Sequence, residues 1–403
     1  MNILYFGKIV DEELHIEDEQ VRKNPYRTAQ YSYEKAFCDE MCKKNKMDII
    51  SIYQKKNFPS ESILFSRKKR KFNNTEIKYI RYINIPFIKE SCFFIITCIK
   101  IIIWKCKNKD NKMSKYIYTN THYPPVSLGI ILMGKLLKIK RVITFTDLSL
   151  FTYSEDRIGK MPIYKKIIIR PYIKLVNKLQ ESYDVYILFS KTMNEIVNKK
   201  KKPYLVMEGI YNPDNISINE KTTKKKAIAH AGTLNKEVGI EKILKVFSKI
   251  EDPNLELWLM GKGDMDSSIE EAAKKDRRIK FFGFMKKEEV FKKLKQAMLL
   301  INLRNPEDLY TKYSFPSKTF EYMVSGTPFL TTKLKGIPEE YYDFLYTIDS
   351  FDNDRIVDKI SSILNKGQKE LDTFGENARK FILENKNSEK QIDKIIKFIE
   401  SLE

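Results

Sequence analysis

The sequence predicts an α/β protein with two doubly wound parallel sheets, each in its own domain. At 403 residues the chain exceeds one ordinary domain and favours two of about 200 residues. Short apolar runs alternate with longer stretches of helical spacing in both halves, a pattern typical of parallel sheets flanked by helices. We therefore expect an N-terminal domain at 1–210, a polar linker at 211–226, a C-terminal domain at 227–385 and a helix at 386–403 that packs back toward the N-terminal domain.

The expected strands are apolar runs of four to six residues, as buried parallel strands require. In the first half they are NILYF (2–6), DIISIY (48–53), YIYT (116–119), RVITFT (141–146), DVYILF (184–189) and YLVM (204–207). In the second half they are AIAHA (227–231), LELWLM (255–260), IKFFG (279–283), MLLINL (298–303) and PFLTT (328–332). Segments between them, such as 29–44 and 126–138, have helical length. Ligands of such sheets bind at the carboxyl ends of the strands, so we expect two domains that face each other across a cleft.

Cysteine and histidine usage argues against a metal site. The chain has three His and five Cys, of which Cys38 and Cys42 are spaced C-x3-C, but it has no C-x2-C pair and no His/Cys cluster with zinc-ligand spacing. The N-terminal MNILYFG is too short for a signal peptide and runs directly into polar sequence. The odd number of Cys and the lack of a signal sequence predict a reducing cytosol.

The net charge of +21 is concentrated in the first half. Residues 1–200 carry 38 Lys and Arg against 20 Asp and Glu, whereas residues 201–403 carry 36 against 33. A basic half favours an anionic partner, either nucleic acid or a membrane surface. The first half has no recognised nucleic-acid-binding module, so we expect an anionic membrane surface and no nucleic acid. A general Lys-rich bias is the alternative, although it should have enriched both halves.

The segment CFFIITCIKIIIWKCK, at 92–107, is apolar almost all round but carries Thr97 and Lys100 near its centre. It is too short and too charged to span a bilayer. Two interpretations stay open: an interfacial helix with Trp104 and the neighbouring lysines at headgroup level, or a buried helix of the N-terminal core. The basic run SRKKRK, at 66–71, is expected to be a solvated loop that adds attraction to anionic lipid.

The most informative stretch is YSFPSKTFEYMVSG, at 313–326. Pro316 favours a helix start, and Ser317 can cap or join the first turn. Lys318 adds a positive charge at the same end, and Glu321 lies three residues on, on the same face. This pattern suits a diphosphate at the helix start and a ribose diol at the carboxylate. The alternative is an ordinary Lys318–Glu321 surface pair worth about 0.3 kcal/mol.

Two glycines and two histidines also lie at or near strand ends. Gly232 after AIAHA and Gly239 before the next helix would let backbone N–H groups approach a phosphate closely. His122 follows a strand end, where a side chain can face a ligand and transfer a proton. His230 lies within an apolar strand and is expected to be a core residue.

The run INLRNPEDLYTKYSFPSKTFEYMVSGTPFLTTKLKGIPEEY, at 301–341, resembles the donor-binding segment of GT-B family 4 glycosyltransferases, in the subgroup that builds bacterial capsule and exopolysaccharide. HAGTLNKEVGIEKILKVF resembles the first strand, loop and helix of their C-terminal domain. THYPPVSLGI and KRVITFTDLS resemble N-domain strands at the cleft, and YLVMEGIYNPD resembles the strand that enters the linker. The similarity covers most of the chain, and the 301–341 motif is its most specific part.

The resemblance implies a retaining, metal-independent transfer from a nucleotide sugar, with UDP as the expected nucleotide and no cofactor or metal site. Protein cations and helix dipoles stabilise the leaving diphosphate in such enzymes. The implied donor-binding residues are Gly232, Thr233, Arg304, Tyr313, Ser317, Lys318 and Glu321. Among them Glu321 binds the ribose, and Ser317 with Lys318 serves the diphosphate. The implied catalytic residues are Asp147, near the transferred sugar, and Lys318. The implied acceptor-side residues are Gly7, His122 and Thr146.

The chain departs from the family pattern at several of these positions. The usual phosphate-binding Arg and Lys fall on Thr233 and Val238, and the first Glu of the E-x7-E pair falls on Tyr313. The His that commonly follows the N-domain strand falls on Thr146, and the glycine-rich loop after the first strand is reduced to Gly7. The candidates for the missing cations are Lys318, Arg304 and Lys312.

Together these features predict transfer of a sugar to a polyprenyl-diphosphate-linked glycan for bacterial capsule, exopolysaccharide or lipopolysaccharide. The expected location is cytoplasmic, peripheral on the inner face of the cell membrane. One alternative is a non-catalytic GT-B shell that supports another transferase, which the departures favour. Another is a GT-B epimerase, which needs more acid/base residues in the cleft than this sequence supplies. The sugar, the linkage and the oligomeric state do not follow from the sequence.

Overall fold

The computed structural model describes residues 1–22, 25–72, 75–110, 112–148, 162–211 and 222–403. These residues divide into two compact units, one formed by Met1–Ile210 with Ser388–Glu403 and the other by Tyr211–Asn387. Each unit contains one large sheet that is parallel, apart from a single edge strand in the first unit. Most of the predicted linker, residues 212–221, lies outside the described residues.

The first unit is built on an eight-stranded sheet and a short two-stranded ladder. The strands are β1 (Asn2–Gly7), β2 (Lys46–Ser51), β3 (Leu64–Phe65), β4 (Arg70–Phe72), β5 (Thr75–Tyr79), β6 (Tyr82–Ile83), β7 (Lys115–Thr119), β8 (Lys140–Phe145), β9 (Val185–Leu188) and β10 (Tyr204–Val206). The helices are α1 (Glu12–Arg22), α2 (Pro25–Lys44), α3 (Ile88–Lys107), α4 (Pro124–Leu136), α5 (Ile163–Gln180) and α6 (Met193–Val197).

The order in the large sheet is β10-β9-β8-β7-β1-β2-β5-β4, and only β4 runs antiparallel to its neighbour. From β1 the chain builds outward through β2 and β5, then returns to β7 on the other side of β1 and builds the opposite way. The point where strand order reverses therefore lies between β1 and β7. In doubly wound sheets ligands bind outside the carboxyl ends of the strands at this switch point. Gly7 and Thr119 lie at those two ends.

The second unit contains a six-stranded parallel sheet with the order β13-β12-β11-β14-β15-β16. Its strands are β11 (Lys225–Thr233), β12 (Glu256–Lys262), β13 (Ile279–Gly283), β14 (Ala297–Asn302), β15 (Phe329–Thr332) and β16 (Tyr346–Ile348). Its helices are α7 (Ile240–Phe247), α8 (Asp266–Lys275), α9 (Lys287–Gln296), α10 (Leu309–Tyr313), α11 (Lys318–Val324), α12 (Asn353–Leu364) and α13 (Gln368–Asn385), with 3₁₀ turns at Lys236–Val238 and Glu339–Phe344. The switch point of this sheet lies between β11 and β14.

Alternating residue size along β11 separates the two faces of this sheet. Ala227, Ala229 and Ala231 belong to one apolar core, which also contains Tyr322 and other residues of α11. The intervening Ile228 belongs to the core on the opposite face, together with residues of α7 and α12. Small side chains on one face of the central strand allow α11 to pack close to it. The hydrophobic pattern thus brings the helix singled out in the sequence to the centre of the sheet.

The final helix, α14 (Ser388–Glu400), belongs to the first unit rather than to the second. Gln391 is buried and donates from Nε2 to the carbonyl of Gly209 at 2.8 Å. Lys44 of α2 pairs with Asp393 at 2.6 Å. Tyr116 donates its hydroxyl proton to Glu403 at 2.7 Å. The first unit is therefore discontinuous in sequence.

Several local predictions were wrong or incomplete, most of them in the first half. The run at 66–71 is not simply a solvated loop, because Arg70 enters edge strand β4 and Arg67 pairs with the buried Asp11 at 2.6 Å. The helix predicted at 92–107 begins at Ile88. The helix is not buried throughout, because Ile95 is 52% exposed. Its Trp104 does not point outward either, since that side chain is only 4% exposed. Strands β3 to β6 and β16 were not predicted.

Candidate active site

Helix α11 starts at the switch point of the second unit. Ser317 precedes it with helical backbone angles (φ −54°, ψ −28°), and its side chain makes no capping hydrogen bond. The Thr319 N–H instead donates to the carbonyl of Pro316 at 2.8 Å. Of the two roles expected for Ser317, joining the first turn is therefore the one observed. Since α11 has only seven residues, its dipole is a minor source of positive potential and the charge of Lys318 matters more.

Lys318 and Glu321 form an ion pair on the exposed side of α11. Lys318 Nζ lies 2.7 Å from Glu321 Oε2, and their side chains are 35% and 29% exposed. At such exposure the pair contributes no more than about 0.5 kcal/mol. The surface pair considered as the alternative is thus present in this structure, and both ions remain accessible to an incoming ligand.

Gly232 places Lys318 beside the end of β11. Its φ of +134° is unfavourable for other residues, and a Cβ at this position would lie 3.0 Å from Lys318 Cε. β11 extends through Gly232 and Thr233, which pair in register with Gly261 and Lys262 of β12. They therefore form the strand end below Lys318, and the loop starts at Leu234.

Gly239 fixes the start of α7 against the end of β14. It adopts a left-handed conformation with φ +86°, and a Cβ there would collide with the carbonyl of Leu303 and lie 3.2 Å from the Arg304 nitrogen. A glycine is required for both reasons. Gly239 therefore brings the first helix of this unit next to the residue that follows β14.

Tyr322 joins α11 to β11 and was not anticipated from the sequence. Its hydroxyl donates to the Ala231 carbonyl at 2.9 Å and accepts from the Ala231 N–H at 2.7 Å. The side chain is fully buried. A tyrosine directly after Glu321, on the buried side of a helix whose other side is polar, was the available signal. It orients the helix that carries Lys318 and Glu321.

His230 and Arg304 complete the polar edge of this sheet. His230 Nδ1 lies 2.9 Å from the Ile301 carbonyl, and the side chain is buried, as expected of a core residue. Burial lowers its pKa to about 4, and the charges of Arg304 and Lys318 act in the same direction. Both cations are therefore close enough to His230 to affect it, and at neutral pH the imidazole is uncharged.

The guanidinium of Arg304 is held partly by an aromatic ring. Its central carbon lies 5.7 Å from the centroid of Tyr310. Its Nε and Nη1 atoms are buried and have no hydrogen-bond partner among the residues that the structure describes. Buried donors of this kind favour an anionic ligand that can accept from them. Arg304 therefore supplies a second cation beside Lys318.

Tyr313 and Lys312 lie one helix earlier, at the end of α10. Lys312 Nζ lies 3.4 Å from Glu307 Oε2, so its charge is partly neutralised. Of the three cations considered as replacements for the family's usual ones, Lys318 and Arg304 thus lie around His230, whereas Lys312 faces an exposed carboxylate.

The acceptor-side residues of the first unit follow three adjacent strands. Gly7 ends β1, His122 comes shortly after β7, and Thr146 with Asp147 comes directly after β8. His122 Nδ1 lies 3.2 Å from Ser127 Oγ, and burial lowers the pKa of the ring to about 4. Asp147 is exposed and Thr146 partly so. The four residues thus share the carboxyl edge of one sheet, with a neutral imidazole among them.

Across the described ranges, no group of three or more His, Cys, Asp and Glu residues is arranged to hold a metal ion. None of the helices in that same part of the chain has the length and apolar character needed to cross a bilayer.

Residues 212–381 match the family model described as glycosyl transferases group 1. Comparison with curated protein sequences found no match. Three solved structures are similar over nearly their whole length. Anabaena HepE in complex with UDP has a TM-score of 0.62 at 11% identity over 100% of both chains. Sucrose-phosphate synthase from Thermosynechococcus elongatus has 0.59 at 13%, over 100% of this chain and 99% of that one. The apo lipopolysaccharide outer core galactosyltransferase WaaB has 0.61 at 11%, over 100% of both.

At these identities the structural likenesses show the fold, and the predicted fold class of two Rossmann-like GT-B domains is confirmed. The family match spans the segment that holds Gly232, Arg304, Lys318 and Glu321. The second unit therefore contains a glycosyltransferase group 1 domain, as expected of a transferase, and the chain has the GT-B fold.

Proposed function

We propose that this glycosyltransferase transfers a sugar, with retention and without a metal ion, from a UDP-linked donor to a lipid-linked glycan of the bacterial surface. The observation that carries the proposal is the ion pair between Lys318 and Glu321 beside Gly232, at the switch point of the sheet in the glycosyltransferase group 1 domain. HepE with bound UDP and the galactosyltransferase WaaB, which share this fold, support the choice of donor and acceptor class.

The donor half of the proposal rests on charge. A leaving UDP carries a diphosphate whose negative charge grows as the glycosidic bond breaks. Lys318 and Arg304 both act electrostatically on the same buried histidine, so their charges add at one place. Arg304 also has buried donors without a partner among the described residues. Two such cations stabilise the departing diphosphate in the way that a metal ion does elsewhere.

Glu321 is the proposed ribose ligand. Its Oε2 accepts from Lys318 Nζ at 2.7 Å. A diphosphate would draw the Lys318 ammonium toward itself, and the freed carboxylate would accept from the ribose hydroxyls. Because the exposed pair is worth little, this exchange costs little free energy. The pair therefore keeps both ions in place without opposing the ligand.

Isothermal titration calorimetry with UDP tests the donor half. The wild-type chain is expected to bind, and Glu321→Ala is expected to lower the affinity by about tenfold or more, because a charge-assisted hydrogen bond contributes about 1.5–3 kcal/mol. Glu307→Ala is the matched control, since Glu307 is 84% exposed and pairs only loosely with Lys312. No heat with wild type, or equal losses in both variants, would contradict the proposed donor site.

The acceptor half of the proposal draws on an apolar surface of the first unit, which we call the α3–α4 patch. The two helices pack closely, because a Cβ on Gly129 would lie 2.9 Å from Thr97. On their outer sides, large aliphatic side chains are 38–66% exposed, namely Ile95, Ile99, Ile102, Ile103, Leu128, Leu132 and Leu136. Monomeric soluble proteins rarely expose so many contiguous apolar side chains without a partner.

A group of cations near α3 favours an anionic membrane as the partner of this patch. Burial lowers the pKa of Lys100 on α3, and the charges of Lys78, Arg81 and Lys107 act in the same direction, so these four cations are near neighbours. Apolar side chains with adjacent lysines suit a bilayer that offers acyl chains below anionic headgroups. We therefore propose that the α3–α4 patch holds the first unit on the inner face of the membrane, where a polyprenyl-diphosphate-linked acceptor resides.

Co-sedimentation with vesicles tests the membrane proposal. The chain is expected to sediment with phosphatidylglycerol-containing vesicles and to remain in solution with pure phosphatidylcholine. Ile95→Glu with Ile99→Glu should abolish sedimentation, whereas Leu309→Glu, at an exposed leucine of the second unit, should not. Sedimentation that survives the double substitution would exclude this patch as the membrane surface.

The acceptor and the sugar are tested directly by transfer. Purified protein is offered a panel of UDP-linked sugars with polyprenyl-diphosphate glycans, and the product mass identifies the sugar that is added. Retention is checked from the anomeric configuration of that product. A product from a soluble glycan alone, or an inverted linkage, would contradict the corresponding part of the proposal.

A further inference from the structure

A buried polar network crosses the switch point of the first unit. The Tyr5 hydroxyl of β1 donates to Glu34 Oε2 on α2. Asn120, directly after β7, donates from Nδ2 to the same hydroxyl at 2.9 Å. The Lys8 backbone N–H, directly after β1, donates to Glu34 Oε1 at 3.2 Å. One carboxyl group therefore joins the carboxyl ends of the two strands between which ligands of this sheet type bind.

This network explains why residue 7 is a glycine. A Cβ at Gly7 would collide with the Tyr5 hydroxyl and with Glu34 Oε2. The missing side chain makes room for the carboxyl group beneath the turn at Gly7–Lys8. From the sequence, Gly7 was expected only as the remainder of a longer glycine-rich loop. The contacts of Tyr5 and Glu34 give a local structural reason for a glycine at this position.

The same edge carries polar atoms that the protein itself leaves unpaired. Ser51 Oγ, Asn120 Oδ1 and Thr121 Oγ1 are buried and have no hydrogen-bond partner within the described part of the chain. Their residues are at most 9% exposed. Leaving such atoms unpaired costs about 1–3 kcal/mol each. Ser51 ends β2 and pairs in register with Gly7 of β1, whereas Asn120 and Thr121 follow β7 on the other side of β1. The unpaired atoms therefore lie on both sides of Gly7 and favour a polar ligand there.

The Tyr5 hydroxyl and the Lys8 N–H both donate to Glu34, and both hydrogen bonds favour its ionised form. Glu34 is only 1% exposed, and each of its oxygens accepts from a neighbour. Burial opposes ionisation and raises the pKa of Glu34 to about 7, although the Tyr5 and Lys8 hydrogen bonds lower it. The other titratable groups that face Glu34 are Tyr5 and Lys8 from the β1 side, Tyr118 from β7, and Tyr33 and Cys38 from α2 itself.

Burial also raises the pKa of Tyr5 and of Cys38 well above their ordinary values, so neither ionises at neutral pH. The pKa values of Tyr33 and Tyr118 are raised for the same reason. The charge of Lys8 favours the ionised form of Glu34. Among the groups that face this network, Glu34 is therefore the one whose charge changes near neutral pH.

We propose that Glu34 is a positioning residue whose ionised carboxylate holds the Gly7–Lys8 turn and Asn120 in the conformation that transfer requires. Protonation turns one acceptor oxygen into a donor, so Glu34 can no longer accept from both the Lys8 N–H and the Tyr5 hydroxyl, and the turn at Lys8 is held less firmly. Transfer then rises with pH as Glu34 ionises. This inference rests on the proposed glycosyl transfer, but the state of the turn can be measured without it.

Carbon NMR on protein labelled at the glutamate side-chain carboxyl tests the titration directly. One resonance is expected to titrate near neutral pH, to be absent from Glu34→Gln and to persist in Glu40→Gln, a buried glutamate of the same helix that pairs with Lys43 instead. Tyr5→Phe removes a donor to the ionised form and should move that midpoint upward. A Glu34 resonance that titrates near its ordinary value of about 4.3 would overturn the proposal.

Amide hydrogen exchange then reports the turn itself. Protection of the Lys8 amide, relative to an unstructured peptide at the same pH, should fall as Glu34 becomes protonated and should be low at every pH in Glu34→Gln. Glu40→Gln should behave like wild type. Protection of Lys8 that is independent of pH and of Glu34 would overturn the positioning role even if the carboxyl group titrates as expected.

The transfer rate completes the test. Wild type and Glu40→Gln should become faster through the midpoint found by NMR, whereas Glu34→Gln should show no such inflection and be about tenfold slower at high pH. An inflection that persists in Glu34→Gln overturns the proposal. If no nucleotide sugar is turned over while the Lys8 amide responds as expected, the proposed donor and acceptor are wrong and the pH-dependent turn stands.

Discussion

The hydroxyl of Tyr322 bonds to both backbone groups of Ala231, as donor to its carbonyl and as acceptor from its N–H. Pairing between β11 and β14 ends at Ala229, two residues earlier. Ala231 therefore has no partner strand on that side, at the point where the sheet reverses its order. One phenol replaces the missing strand and fixes the helix that carries Lys318 and Glu321.

Tyr322→Phe should destabilise the second unit by about 1–3 kcal/mol, because it leaves a buried N–H and a buried carbonyl unpaired. Urea unfolding in a Trp104→Phe background measures this loss, since Trp258 then reports the second unit alone. Tyr211→Phe is the control, because the buried Tyr211 hydroxyl has no hydrogen-bond partner in the described chain. Similar losses in the two variants would show that the two hydrogen bonds of the Tyr322 hydroxyl contribute no more than an unpaired hydroxyl does.

Lys318→Ala should weaken the binding of UDP by about 10- to 100-fold and leave the binding of uridine nearly unchanged, because the ammonium is proposed to bind the diphosphate. Calorimetry with the two ligands measures the ratio. Lys312→Ala is the matched control, since that lysine pairs with Glu307. Equal losses for UDP and uridine would refute the diphosphate role.

Gly239→Ala and Gly283→Ala separate two costs of replacing a glycine. Both residues have positive φ, +86° and +63°, but only Gly239 faces another atom, the Leu303 carbonyl. Gly283→Ala should therefore lose about 1 kcal/mol, the cost of a left-handed residue. Gly239→Ala should lose clearly more, since the end of β14 must shift. Urea unfolding followed by Trp258 measures both, and equal losses would mean that the contact relaxes freely.

Glu34 should make the first unit less stable as pH rises. Because its pKa in the folded chain is raised to about 7, the folded state holds the proton more tightly than the unfolded state. The resulting stability is present below the unfolded pKa and is lost between about pH 4.3 and pH 7, by at most about 4 kcal/mol. Thermal unfolding across this range should show a shallower decline for Glu34→Gln. The same decline in both proteins would place the effect elsewhere.

The strands at the centre of each sheet could be predicted because both of their faces are buried. NILYF misses only Gly7 of β1, and PFLTT adds only Pro328 to β15. The strands β3 and β6 have only two residues each, which is too short for an apolar run to be recognised in the sequence. β5 alternates polar and apolar residues, and β16 lies at an edge with three residues. Such strands are defined by a neighbouring strand rather than by a local apolar run.

For the candidate site, the helix start and its two ions could be predicted, but their surroundings could not. Lys318 lies beside Gly232 because β11 and α11 meet at a switch point, and 86 positions separate these residues in the sequence. The contact between Tyr322 and Ala231 depends on where β14 stops pairing. Nor could the exposed side of α3 be predicted, because a helix that is apolar on nearly every side does not indicate which side is buried. The roles assigned to Asp147, Thr146 and His122 stay predictions.

The helix at Ser388–Glu400 has a consequence for how the chain is made. Its contacts with Lys44 and Gly209 belong to a unit whose other residues are translated before position 211. On the ribosome the nascent first unit must therefore wait, without its last helix, while residues 211–387 are synthesised and can already fold as a group. Vectorial synthesis would thus let the second unit mature before the unit that precedes it in the gene.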